Sequence, residues 1–345
     1  MIIGINEKLN GLVYQLRIPM PMDPGYVFSY VVRADNECIM IDAGYPSNEL
    51  LEPRINRLRE IPSCRLGMLI ITHMHVDHIG LANELHNSLG LSVAMHRRDH
   101  EQIMKMNDRD LIMREYEELL VYYGVPGTDM ELLRSVINGI SRRRRFSTVN
   151  PDIIINGGEE RIGNGNIHVV LTPGHSPGHI SVILSEHNVA FTGDLILPTI
   201  TTHVGLTPIN PGNPLLEYFE SLAKIRSMKL NCLYPGHEGD ICNVSGRINE
   251  LTGHRFSRLC EVLNLLRNRA LTIFEVTKSL RWMDNRDYLS LDPMNRYMAL
   301  TETAALVKYL EYLGIIKAGN DHRYEIVKDI TCSPQALISS DLIGP

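Results

Sequence analysis

Four side chains able to bind a metal fall within six residues of this chain: His73, His75, Asp77 and His78, in the run Thr72-His73-Met74-His75-Val76-Asp77-His78. The run follows the apolar stretch Met68 to Ile71, which reads as a buried strand. On an extended backbone His73 and His75 project to the same side, and Asp77 and His78 follow in the turn. A strand end that delivers two imidazoles, then a carboxylate and a third imidazole, is suited to a metal ion. With 14 His among 345 residues, composition alone does not produce such a cluster.

Three later segments repeat the device of a buried strand, a glycine that frees the backbone, and a ligand. The apolar run Ile167 to Leu171 leads into Thr172-Pro173-Gly174-His175-Ser176-Pro177-Gly178-His179. Val189 to Phe191 leads into Thr192-Gly193-Asp194, and Leu230 to Tyr234 into Pro235-Gly236-His237-Glu238. Convergence of these strand ends on the first corner predicts two adjacent metal positions.

This set resembles the metallo-β-lactamase superfamily motif by motif. Asp42, in Met40-Ile41-Asp42-Ala43-Gly44, matches the family's first motif, where the aspartate is structural. His73, His75, Asp77 and His78 match the second, His175 the third, Asp194 the fourth and His237 the fifth. The resemblance implies one metal held by His73, His75 and His175 and another by Asp77, His78 and His237, with Asp194 bridging them. It implies a supporting place, outside the ligands, for His179. All seven ligand positions are filled, which favours two divalent ions over one. Zinc is the default for such ligands, and iron or manganese also suit them. Two ions ~3.5–4 Å apart can share a hydroxide that is nucleophilic at neutral pH. Asp77 and Asp194 are the expected catalytic carboxylates. An intact Asp194 and the lack of a cysteine at a ligand position argue against a true β-lactamase.

The expected fold is α/β: the superfamily's αββα sandwich, with a helical insertion at about 97–150 and a C-terminal winged-helix-like domain. Domain boundaries are expected at 1–250 for the catalytic part and 251–345 for the tail. Val27 to Arg33 and Glu37 to Ile41 read as a hairpin around Asp35-Asn36. Leu50 to Glu60 and Asn83 to Leu89 read as helices, with Ser92 to His96 as a strand between sandwich elements. The insertion carries Tyr116, Tyr122 and Tyr123, Met104, Met106 and Met113, and the run Arg142 to Arg145. In related hydrolases an insertion here caps the active site; the aromatic residues suit that role or simple packing against the sandwich. The arginine run is suited to a phosphate-bearing substrate or to a solvated helix end.

Beyond Leu251, Asn249 to Arg269 reads as a long helix. Thr272 with Glu275 reads as a capping box, and Thr301 to Leu313 as a helix stopped by Gly314. Ile315 to Lys317 and Arg323 to Val327 then form a hairpin. This order, and Thr252-Gly253-His254-Arg255, resemble the tail of the β-lactamase-like protein 2 group, a branch near the glyoxalase II hydrolases. The helix Thr301 to Leu313 bears Glu302, Lys308 and Glu311, too acidic for tracking phosphates.

The expected activity is metal-dependent hydrolysis of a small ester or thioester by a metal-bridging hydroxide. Alternatives implied by the resemblance are an endoribonuclease acting on single-stranded RNA and, last, an iron-dependent persulfide dioxygenase. Glutathione as the acyl carrier is disfavoured, because the glyoxalase II segment Gly-Cys-Gly-Arg is replaced after Asp194 by a loop running from Leu195 to His203. His203 itself reads as an exposed loop histidine. A net charge of −6 gives no general attraction to nucleic acid or membranes. The first ten residues lack the apolar core of a signal peptide, and no apolar run is long enough to span a bilayer. The six cysteines lack paired spacing and read as reduced, so the expected location is cytoplasmic. The expected partner is a small-molecule substrate; a homodimer stays open.

Overall fold

The computed structural model describes residues 3–34, 37–62, 64–143, 149–162 and 167–338. The chain divides into two compact units. The first comprises Met1–Asn107, Arg143–Thr202 and Met228–Val244. It contains two sheets.

The seven-stranded sheet runs in chain order: β1 (Gly4–Lys8), β2 (Val13–Pro19), β3 (Tyr26–Ala34), β4 (Glu37–Ile41), β5 (Leu66–Ile70), β6 (Ser92–His96) and β7 (Ile153–Ile155). Its first four strands form an antiparallel meander, and β4 to β7 pair in parallel. The five-stranded sheet has the order β12-β11-β10-β9-β8. These strands are β8 (Glu159–Ile162), β9 (Ile167–Leu171), β10 (Ile180–Leu184), β11 (Val189–Gly193) and β12 (Cys232–Pro235).

Period-2 alternation explains why the sheets face one another. Phe28, Tyr30 and Val32 of β3 share one core with Ile180, Val182 and Leu184 of β10 and with Val189 and Phe191 of β11. Each such burial removes enough apolar area from water to contribute ~1.5–3 kcal/mol. Residues between them on β10, Ser181 and Ile183, are buried as well, so that strand is covered on both faces. The connections are α1 (Leu51–Arg59), α2 (Val76–Ile79), α3 (Ala82–Leu89) and α4 (Arg97–Met106). Helix α3 packs on β5 and β6, and α4 on β6.

The second unit comprises Asp108–Arg142, His203–Ser227 and Ser245–Pro345. It holds α5 (Arg109–Tyr122), α6 (Gly127–Arg143, its last residue assigned to the first unit), α7 (Pro214–Ser227), α8 (Val244–Leu266, its first residue assigned to the first unit), α9 (Ile273–Ser279), α10 (Pro293–Tyr312) and α11 (Pro334–Leu337). The short strands β13 (Ile316–Ala318) and β14 (Tyr324–Ile326) pair antiparallel. Thr272 accepts from the Glu275 amide while Glu275 accepts from the Thr272 amide, a complete capping box for α9. Helix α10 starts earlier than Thr301, because Asp292 caps it and Pro293 occupies its first turn.

Two expectations differ from this arrangement. A single boundary near Leu251 does not describe the division, since the helical stretch after Arg97 splits between the units. Its tyrosines explain why: Tyr116 Oη meets Tyr297 Oη at 3.3 Å, and Tyr123 Oη donates to Leu206 O, all within the second unit. The cysteines are also not reduced. Cys38 is joined to Cys64, Cys232 to Cys242 and Cys260 to Cys332. Sequence separations of 26, 10 and 72 conceal pairs that strand and helix packing bring together. Disulfides persist mainly in oxidising surroundings, so thiol chemistry no longer argues for the cytoplasm. Among the described residues no helix is long and apolar enough to cross a membrane. Arg142 is exposed, and the rest of the arginine run falls outside the described side chains, as does the turn Asp35-Asn36.

Candidate metal centre

All seven predicted ligands lie in the first unit, at the ends of strands that stop at one rim of the sandwich. Strand β5 ends at Ile70 and delivers Thr72 to His78; β9 delivers His175; β11 ends in Gly193 and places Asp194; β12 ends at Pro235 and places His237. Hydrogen bonds stitch these loops to one another: Ile180 N donates to Thr72 O at 2.8 Å, and Gly236 N to Gly193 O at 2.8 Å. The two glycines are needed for space. A Cβ on Gly193, whose φ is +44°, would lie 2.7 Å from Thr72 Oγ1 and 2.8 Å from His179 Nε2. A Cβ on Gly236 would lie 2.5 Å from His78 Cε1 and 2.8 Å from Asp194 Oδ1.

The side chains gather into three overlapping groups: His73, His75 and His175; His73, His78 and Asp194; Asp77, His78 and His237. Within each group the ligand atoms lie within 4.8 Å of one another. Asp194 faces histidines from both ends of the cluster. Its Oδ1 is 3.3 Å from His78 Nε2, and its Oδ2 is 3.5 Å from His237 Nε2 and 3.7 Å from His175 Nε2. Asp77 Oδ2 lies 3.2 Å from His237 Nε2.

The outer nitrogens of these rings are held by the chain. His78 Nδ1 donates to Asp42 Oδ2 at 2.7 Å, and His237 Nδ1 donates to Tyr26 O at 3.0 Å. Thr72 Oγ1 donates to Asp42 Oδ2 at 2.8 Å and accepts from His73 Nδ1 at 3.1 Å. Fixing the proton on Nδ1 turns each Nε2 lone pair inward. The lone pairs of His78 and His237 face carboxylate oxygens, whereas His73 Nε2 lies 3.1 Å from His75 Nδ1, and buried His78 Nε2 and Asp194 Oδ1 make no hydrogen bond. Lone pairs opposing carboxylates require a positive charge between them, as a metal ion or as added protons. The donor set, its spacing and these two unsatisfied atoms all fit divalent metal.

Titration behaviour states the same demand. Burial acts to lower His78 and His237, but the surrounding carboxylates, Asp194 foremost, raise both, His237 to about 10. Burial acts to raise Asp194, and His237 and His78 outweigh it, holding the carboxyl well below its usual range. His73 is lowered by burial and by the neighbouring imidazoles.

His179 is fully buried and stands behind the ligands. Its Nε2 accepts from Asp194 N at 3.3 Å, which leaves Nδ1 to donate to Thr172 Oγ1 at 3.0 Å. Burial lowers it to about 3, so it is neutral and serves as an acceptor for the Asp194 backbone. His203 belongs to the second unit and contacts Thr301 Oγ1 at 3.3 Å. Sequence reasoning missed Thr72 and Glu238. Thr72 couples Asp42 to His73. Glu238, at φ +69°, accepts from the amides of Thr199 and Ile200 and so fixes the loop that follows Asp194. Glu238 adjoins His237, and that adjacency was the available signal.

A two-sheet sandwich with a histidine–carboxylate cluster at its strand ends defines a metal-dependent hydrolase. The profile of the Metallo-beta-lactamase superfamily matches residues 22–237, and the chain belongs to that superfamily. A probable metallo-hydrolase of Bacillus subtilis is 24% identical over 87% of this chain and 92% of its own length. A beta-lactamase-like protein 2 homolog of Caenorhabditis elegans is 23% identical over 90% of this chain and 88% of its own. An atrochrysone carboxyl ACP thioesterase of Aspergillus fumigatus is 33% identical over 33% of this chain and 34% of its own. Among solved structures, a metallo-beta-lactamase family protein from Thermus thermophilus superposes with a TM-score of 0.75 at 25% identity, covering 92% of this chain and all of that one.

Proposed function

We propose that the protein hydrolyses a small ester or thioester at a binuclear metal site. The observation that carries this reading is the position of Asp194, which faces His175 of one ligand set and both His78 and His237 of the other. In this reading His73, His75 and His175 would hold one ion and Asp77, His78 and His237 the second, with Asp194 available to both. Bound divalent ions, zinc by default, supply Lewis-acid activation of water and of the scissile carbonyl at neutral pH.

The chain's own residues do the rest. Asp42, Thr72 and the Tyr26 carbonyl hold three imidazoles in one tautomer and orientation, so these three rings need not reorganise during turnover. The Asp77 carboxylate, 15% exposed at the side chain, is the acceptor for a proton leaving the attacking water. Neutral His179 keeps the Asp194 backbone fixed without adding charge. Glu238 clamps Thr199 and Ile200, so the loop that replaces the glutathione-type segment has a defined path beside the site.

Support for an acyl ester or thioester comes from a matched relative that is a thioesterase. An acidic chain with a net charge of −6 favours a small substrate over RNA. The test compares a short acyl thioester with a single-stranded RNA oligomer, using zinc-loaded wild type and Asp77→Ala. The proposal expects thioester cleavage that the variant loses by at least ~100-fold. RNA cleavage without thioester cleavage would overturn it.

A further inference from the structure

Asp99 lies outside every family motif, yet it ties together the two loops that carry His73, His75 and His175. It sits in the first turn of α4, follows the end of β6, and is fully buried. Oδ2 accepts from Met74 N at 2.8 Å and from Ser176 Oγ at 2.7 Å. Oδ1 accepts from Gly178 N at 2.6 Å. Met74 separates His73 from His75, Ser176 follows His175, and Gly178 precedes His179. One carboxylate therefore grips the backbone between two candidate ligands and both sides of the turn that presents the third.

The grip is specific to a carboxylate. All three partners donate, and an ionised aspartate offers two oxygens and no donor. Hydrogen bonds to an ionised acceptor are roughly twice as strong as neutral ones, which suits a clamp between loops of different sheets. Gly178 completes the fit, since a Cβ there would collide with the Asp99 backbone and side chain.

We propose that Asp99 is a positioning residue that sets the separation of His175 from His73 and His75, and thereby the affinity and geometry of that metal position alone. It acts through the two loops that it holds. The Asp77, His78 and His237 position is held by different partners, Asp42 and the Tyr26 carbonyl, so it should not respond. The inference rests on the binuclear reading above.

The experiment titrates cobalt(II) into metal-stripped wild type, Asp99→Asn and Ser176→Ala, recording visible absorption and thermal unfolding. The amide introduced by Asp99→Asn would turn a donor toward one of three donors, whereas Ser176→Ala removes a single bond and leaves the backbone grips intact. Wild type should take up two equivalents. In Asp99→Asn one equivalent should weaken by about 10–100-fold with a shifted absorption band while the other is unchanged. Ser176→Ala should move the same equivalent in the same direction by a smaller factor. Unchanged affinities and spectra, with only a lowered Tm, would overturn the inference and leave the binuclear reading intact. Equal weakening of both equivalents would overturn it too, because the effect would then be global. Absence of cobalt uptake by wild type would instead remove the binuclear reading, and this inference with it.

Discussion

Replacing Glu302 by Gln takes a carboxylate charge away from a buried guanidinium in the second unit, and the cost can be worked out. Arg255 is 2% exposed, and its Nη1 lies 2.8 Å from Oε1 of Glu302, whose side chain is 15% exposed. The pair links α8 to α10. Arginine cannot shed its proton, so Glu302→Gln removes the carboxylate charge 2.8 Å from a buried, permanently charged guanidinium. Breaking a buried pair in this way costs about 3–5 kcal/mol, and the partial exposure of Glu302 places this case near 3. Arg255→Met should cost less, because the remaining carboxyl can escape by protonation. The double replacement Arg255→Met, Glu302→Leu should be milder than Glu302→Gln, since the guanidinium leaves together with its carboxylate.

The sign of the pH dependence follows from Glu302. Burial acts to raise its pKa, and Arg255, His203 and Arg258 outweigh it, so the folded value lies below the unfolded one. The contribution is fully present above the unfolded carboxyl value of about 4.3 and is lost as pH falls through the lower, folded value. Urea unfolding followed by tryptophan fluorescence reads this unit directly, because Trp282 is the chain's only tryptophan. The gap between wild type and Glu302→Gln should be complete at pH 7 and close under acid conditions. A loss below ~1 kcal/mol at pH 7, or a gap that widens in acid, would refute the reasoning.

Further outcomes are expected at two glycines and at the disulfides. Gly193→Ala combines a left-handed backbone with overpacking against Thr72 and His179, which together cost about 3 kcal/mol in urea unfolding. Gly239→Ala, where an added Cβ meets nothing within 4 Å, should lie within ~0.5 kcal/mol of wild type. Thiol titration of the unreduced, unfolded protein should find no free cysteine, and opening the Cys38–Cys64 link by Cys38→Ser together with Cys64→Ser should cost about 3.5 kcal/mol for a 26-residue loop. Six titratable thiols would contradict the pairing.

The candidate site was the most legible part of the sequence, because its ligands come in short contiguous motifs, each at a strand end. His73 to His78 carry their spacing in the primary structure, and the glycines before Asp194 and His237 mark where backbones must approach. Asp99 and the Thr72–Asp42 coupling were not legible, since they act across 25 and 30 residues through contacts that packing creates. The fold shows the same division. Capping chemistry announced α9 through Thr272 and Glu275, and the same logic, applied to Asp292-Pro293, would have found the true start of α10. Strand β1, Gly-Ile-Asn-Glu-Lys, has little intrinsic strand preference and is held by its pairing with β2. Helix α7 has a subtler signal, Asn213, which accepts from the Leu216 amide ahead of an amphipathic run. Disulfides left no trace at all, because pairing is a property of the folded chain.

The most direct test of the central claim is to strip the protein with a chelator and titrate zinc back while following hydrolysis of a short acyl thioester. Turnover should begin near zero, rise with added metal and saturate at two equivalents per chain. Full turnover in the stripped protein, or none at any metal loading, would contradict the account.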